Sequence, residues 1–134
     1  MTGPTIASVM TAEPISIGAA TLLSDAQKMM IDRHLRHLPV MEGERILGVV
    51  SDRDVYLAQI ANLGLADYNT LQIGDVCTLD AYAVPSDRPL AEVVTEMAKR
   101  HIGSVLIVDE GKLRGIFTAT DACRQLGALL DSQA

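Results

Sequence analysis

An ungapped internal repeat with a period of 67 residues runs through this chain. The segment GVVSDRD that begins at Gly48 returns as GIFTATD at Gly115. The same offset pairs Ile6 with Ile73, Val9 with Val76, Thr11 with Thr78, Leu23 with Leu90 and Met30 with Met97. It also pairs Arg33 with Arg100, His34 with His101 and Asp54 with Asp121. One register across both halves means two copies of one unit, here taken as 1–66 and 67–134. A unit of this length buries a small core and is marginal alone, so the two copies are expected to fold as one module. A pseudo-twofold pair packed sheet to sheet places the natural ligand cleft between its copies.

Each copy shows the same order of periodicities. In the first, Ile15-Ser16-Ile17 is a short extended piece, and Leu22, Leu23, Ala26, Met29 and Met30 then fall on one helical face. Leu38–Met41 and Ile46–Val50 are strands around the turn Glu42–Arg45. Ser51 is positioned as the N-cap of a second helix that runs to about Leu63 and stops at Gly64. In the second copy Tyr82–Val84 is extended, and Leu90, Val93 and Met97 mark a helix. Strands Ser104–Val108 and Leu113–Phe117 follow, and Thr118 caps a last helix carrying Ala122, Leu126 and Leu129. Ala66–Gln72 joins the copies, and Thr5–Met10 and Ile73–Cys77 are short leading helices. The fold class is α/β (α+β), two β-α-β-β-α repeats.

The charge balance narrows function. Asp plus Glu number 17 against 11 Lys plus Arg, a net charge of −6, which argues against broad contact with nucleic acid or acidic membranes. Aromatic residues are only 3% of the chain, too few for base stacking along a single strand. Any anion must therefore sit in a local basic pocket. No segment approaches a signal peptide or a membrane span. Cys77 and Cys123 have no metal-finger spacing and are expected to be buried free thiols. The expected setting is the cytoplasm.

Two motifs carry the candidate chemistry, Ser51-Asp52-Arg53-Asp54 and Thr118-Ala119-Thr120-Asp121. Either they only cap helices, or the same helix starts also offer amides and a hydroxyl to an anion and a carboxylate to a ribose diol. Gly48 and Gly115 before them suggest backbone room for a ligand. The cluster Arg33–His37 is either a solvated helix end or a source of phosphate contacts through Arg36 or His37 with Arg53. Lys99, Arg100 and His101 hold the equivalent place in the second copy. His34 and His37 could begin a metal site with Cys77 or His101, but no ligand set is complete. No nucleophile, general base or phosphate loop has a recognisable partner, so the chain is not expected to be an enzyme.

The run MTAEPISI, an amphipathic helix, and RHLPVMEGERILGVVSDRDV resembles a CBS domain, the module named after cystathionine β-synthase. DVCTLDAYAVPSDRPL through HIGSVLIVDEGKLRGIFTATDA resembles a second. The resemblance implies a stand-alone tandem pair with no obligatory cofactor, sensing an adenine nucleotide such as AMP, ADP or ATP. NAD or S-adenosylmethionine are alternatives. It implies that Asp54 and Asp121 hold ribose, with Ser51 and Thr118 near phosphate beside Arg36, His37 and Arg53. Ile15, Ile17, Leu38 and Val40, with Val84, Val105 and Ile107, are first of all core residues; the resemblance further implies that some of them, with Ser16, Pro39, Ala83 and Leu106 on the same segments, sandwich an adenine and offer it backbone hydrogen bonds. Leu106 stands where the family's usual apolar-Pro-Val has Pro39, and Ala83 replaces Ser16. Tighter binding is expected at the Asp54 site, because the Asp121 motif has the uncharged Ala119-Thr120 where the first has Asp52-Arg53 and so offers phosphates no cation. The implied partners are the adenosine ligand, a second copy in a homodimer formed through the closing helices, and an unidentified downstream protein. Competing readings are a structural or interaction dimer with an empty cleft, and a metal- or redox-responsive protein.

Overall fold

The computed structural model describes residues 3–61 and 70–133. A 3-10 turn at Ile6–Ser8 precedes strand β1 (Thr11–Ala12), β2 (Ile17–Gly18), helix α1 (Leu23–Asp32), β3 (His37–Glu42), β4 (Arg45–Ser51) and α2 (Asp52–Ala61). Then come α3 (Ile73–Val76), β5 (Thr78–Leu79), β6 (Ala83–Val84), α4 (Leu90–Arg100), β7 (Ser104–Asp109), β8 (Lys112–Thr118) and α5 (Ala119–Ser132). The expected end of the second helix at Leu63–Gly64 and most of the Ala66–Gln72 connection lie outside the described residues. The leading helix expected over Thr5–Met10 is the single 3-10 turn. Among the described residues, no helix is long and apolar enough to cross a membrane.

The periodicities produce these elements. In α1, Leu23, Ala26 and Met30 recur at three and four residues and are buried against Leu38, Val40, Val50, Val55 and Ile73. In the second copy Val93 and Met97 of α4 pack with Val105, Ile107 and Phe117. Side chains alternate across each central strand, so Pro39 and Val49, like Leu106 and Ile116, are buried but lie outside these helix-side clusters. Full burial of each Val, Leu or Ile contributes about 1.5–3 kcal/mol.

The sheets hold what the repeat alone does not reveal. One runs β2-β3-β4-β5 and the other β1-β8-β7-β6, each with four strands. β2 and β6 pair in parallel with β3 and β7, and the hairpins β3-β4 and β7-β8 are antiparallel. The fourth strand of each sheet comes from the other copy: β1 pairs with β8, and β5 pairs with β4. The compact units are therefore out of phase with the repeat. One is Ile15–Ala81, and the other joins the chain up to Pro14 with Tyr82 onward.

Candidate functional site

Strand β4 delivers Ser51 to the start of α2, next to the first residue of β3, since His37 is the register partner of Ser51. The amide of Ser51 donates to Oδ2 of Asp54 at 2.9 Å, and the Asp54 amide donates to Ser51 Oγ at 3.0 Å. This reciprocal box satisfies two groups that the helix start would otherwise leave orphaned. Only one carboxylate oxygen takes part. Oδ1 of Asp54 has no hydrogen-bond or ion-pair partner among the described residues. Beside it, the Asp52 amide donates to the carbonyl of Arg36 at 2.9 Å, which pins Arg36 next to the helix start.

The same end of the sheet adds an acceptor on the far side of β3. Ile15 lies beside β3, one strand away from the helix start, and its side chain is 41% exposed. In the second copy the Leu106 amide donates to the Tyr82 carbonyl at 2.9 Å. Pro39 holds the position of Leu106 and has no N–H, so the Ile15 carbonyl lacks that bond and has no other donor among the described residues. The missing bond also explains why β2 begins one residue later than β6 does in its copy.

The Asp121 end is built from the same parts and is filled. Thr118 donates to Oδ2 of Asp121 from its amide at 2.9 Å and from its hydroxyl at 3.0 Å, and the Asp121 amide returns a 3.3 Å bond to Thr118 Oγ1. Arg124 Nη1 then takes Oδ1 at 2.8 Å. Asp121 is 9% exposed, and both its oxygens have partners. Where Arg36 stands in the first copy, Gly103 accepts from the Ala119 amide. Sequence reasoning missed Arg124; the signal was an arginine three residues after the motif's aspartate.

The basic cluster divides. Arg33 closes α1 and His34 follows with φ of 54°, so these two form a helix end, as His101 with φ of 56° does after α4. Arg36 instead immediately precedes β3, and His37 begins it, at the site. Burial pushes the His37 pKa below its ordinary 6.5, against the opposing pull of Asp52 and Asp54, and Arg36 lowers it further. The folded protein thus favours neutral His37, and Arg36 is the cation beside it. Arg53 is exposed and lines an open groove of about 410 Å³ between α1 and α2 with Gln27, Ile31 and Tyr56. In the second copy Arg100 is held by Glu96 at 2.6 Å and lies 4.3 Å over the Tyr82 ring.

Other expected site residues fall into two groups. Ile17, Leu38, Val40, Val84, Val105 and Ile107 are buried in the helix-side cores, which leaves them only backbone groups to offer. Ser16 and Ala83 are exposed at the starts of the outer parallel strands. Gly48 and Gly115 do not make room for a ligand. A methyl group on Gly48 would run into the Thr78 carbonyl of β5, and one on Gly115 into Met10 and the Thr11 carbonyl of β1. Close strand approach is the reason for both glycines. Cys123 is exposed, contrary to expectation, while Cys77 is half-buried, donates to the Gly74 carbonyl and has its pKa raised by burial. Among the described residues, no group of three or more His, Cys, Asp or Glu could hold a metal ion.

Residues 6–60 and 73–128 each match the CBS domain. The chain belongs to the CBS-domain family. Its mixed fold, with two four-stranded sheets, is that of a CBS pair. CBSX2 in complex with AMP superposes with a TM-score of 0.81 at 25% identity, over 98% of this chain and 100% of that one. Hypoxic response protein 1 of Mycobacterium tuberculosis is 28% identical over 91% of this chain and 85% of its own length. A structure of hypoxic response protein I with two coordinated zinc ions has a TM-score of 0.76. Other relatives are longer. This chain spans 43% of a 33.4 kDa Thermofilum pendens protein from a ribosomal RNA operon that is 26% identical over 90% of this CBS pair. It spans only 21% of the Bifidobacterium longum inosine-5'-monophosphate dehydrogenase, at 27% identity.

Proposed function

We propose that this CBS pair is a regulatory module that binds an adenine nucleotide of the AMP, ADP or ATP class and performs no reaction of its own. The observation that carries the reading is the unpartnered Oδ1 of Asp54, set at the same sheet end as the bare Ile15 carbonyl. A carboxylate oxygen accepts from a ribose diol, and a backbone carbonyl accepts from the amino group of an aminopurine. The two lie on opposite sides of β3, about two strand spacings or ~10 Å apart, a span that a nucleoside covers. Arg36, with Arg53 from the first turn of α2, supplies cations for the phosphate by charge-assisted bonds. The AMP complex of CBSX2, similar over its whole length, supports the ligand class. NAD and S-adenosylmethionine present the same base and ribose and belong in the same test.

The module acts as a homodimer in the cytoplasm. Ligand binding shifts the dimer's geometry, and a downstream protein senses the shift through its preference for one state. A thermal-shift panel of AMP, ADP, ATP, NAD, S-adenosylmethionine and zinc tests the ligand. At one hundred times Kd a ligand that binds only the folded state adds about 2.7 kcal/mol, so one or more adenine nucleotides should raise Tm by several degrees. A rise with zinc and none with any adenosine compound would replace this reading with the metal-responsive one.

A further inference from the structure

The repeat gives this chain two candidate ribose carboxylates, but the hydrogen bonds at the two ends are not equivalent. At the first end, Pro39 leaves the Ile15 carbonyl without a donor, and Asp54 keeps one oxygen open. At the second, the Leu106 amide takes the Tyr82 carbonyl and Arg124 takes the remaining oxygen of Asp121. Arg100 also covers the Tyr82 ring. The counterparts of both open acceptors, the Tyr82 carbonyl and the second oxygen of Asp121, therefore already have donors in their own unit. We infer that the second end is closed by the protein's own hydrogen bonds, so that the chain takes one aminopurine nucleotide, at the Ile15–Asp54 end.

The two closing groups differ in strength. The Leu106 amide is fixed within a sheet and its side chain is buried, so breaking its bond to Tyr82 would leave an unpaired carbonyl or amide. Arg124 is mostly exposed and can swing away at small cost. Leu106 is thus the firm closure and Arg124 a latch over the carboxylate. Both differences trace to single positions of the repeat, since Pro39 matches Leu106 and Leu57 matches Arg124. Pro39 accordingly sets specificity. By withholding an N–H it keeps an acceptor for the exocyclic amine of adenine, and a base that carries an oxo group there gains nothing from it.

The inference rests on the nucleotide reading above, and calorimetric titration separates the two. Wild-type protein should bind one AMP per chain and prefer AMP to IMP by about tenfold, the worth of one well-formed hydrogen bond. Pro39→Ala restores an N–H facing Ile15 and should weaken AMP at least several-fold and erase the preference over IMP. Leu106→Pro combined with Arg124→Leu copies the first end into the second and should raise the stoichiometry to two. Two AMP per wild-type chain would overturn the closure of the second end, and unchanged AMP and IMP affinities in Pro39→Ala would overturn the role of Pro39, either one leaving nucleotide binding intact. Should the double variant lose its helical circular dichroism, the wild-type stoichiometry decides the closure and the Pro39→Ala arm the role of Pro39. No heat from AMP or IMP with any folded variant would overturn the nucleotide reading itself, and the closure with it.

Discussion

Asp54 and Asp121 show how one residue type serves two ends differently. Both complete capping boxes, so the capping and ligand readings are compatible for Asp54, whose second oxygen is open. The sequence made both aspartates visible, yet it could not show that Arg124 occupies one of them, because a three-residue spacing only permits such a contact. His37 gives a titratable consequence at this scale. Its folded pKa is held below 6.5 by burial, so the neutral form is favoured in the folded protein. The stability tied to that neutrality is fully present above pH 6.5 and is lost as the pH falls through the depressed folded value. Urea unfolding at pH 7.5 and pH 5.5 should show a larger loss for the wild type than for His37→Gln. Equal losses in the two proteins would contradict this account of His37.

Helices and long strands were legible because their periodicities are local. Leu23, Ala26 and Met30, or Val105, Ile107 and Phe117, announce their faces in the sequence. The two-residue strands β1 and β5 have no period to detect, and what fixes them is nonlocal pairing with β8 and β4. Gly48 and Gly115 were the available sign of that pairing, since only a residue without a side chain lets Thr78 or Thr11 pass so closely. Gly48→Ala must displace the backbone of β5 and should cost about 1–3 kcal/mol in chemical denaturation. Gly127→Ala, inside α5 with nothing within 4 Å, should instead gain about 0.5–1 kcal/mol through helix propensity. A neutral Gly48→Ala would mean that β5 does not hold its place against β4.

At the scale of the whole molecule, the repeat announces two copies but not the exchange of their leading segments, because a 67-residue period is the same whichever copy each short strand joins. The proposed homodimer rests on surface chemistry. Tyr56, Leu57 and Ile60 on α2 and Leu126, Leu129 and Leu130 on α5 are each about half exposed or more, apolar surface that a second copy would cover. Light scattering at high micromolar concentration should give twice 14.3 kDa, and a monomer there would remove the dimer. The central claim is nucleotide binding through Asp54. Calorimetric titration of AMP into wild-type, Asp54→Ala and Asp121→Ala proteins, each with wild-type circular dichroism, tests it most directly. Loss of a ribose-accepting carboxylate should cost roughly 1.5–3 kcal/mol, a drop of about 10- to 100-fold, in Asp54→Ala, with little change in Asp121→Ala. Binding that survives Asp54→Ala and disappears in Asp121→Ala would contradict the account.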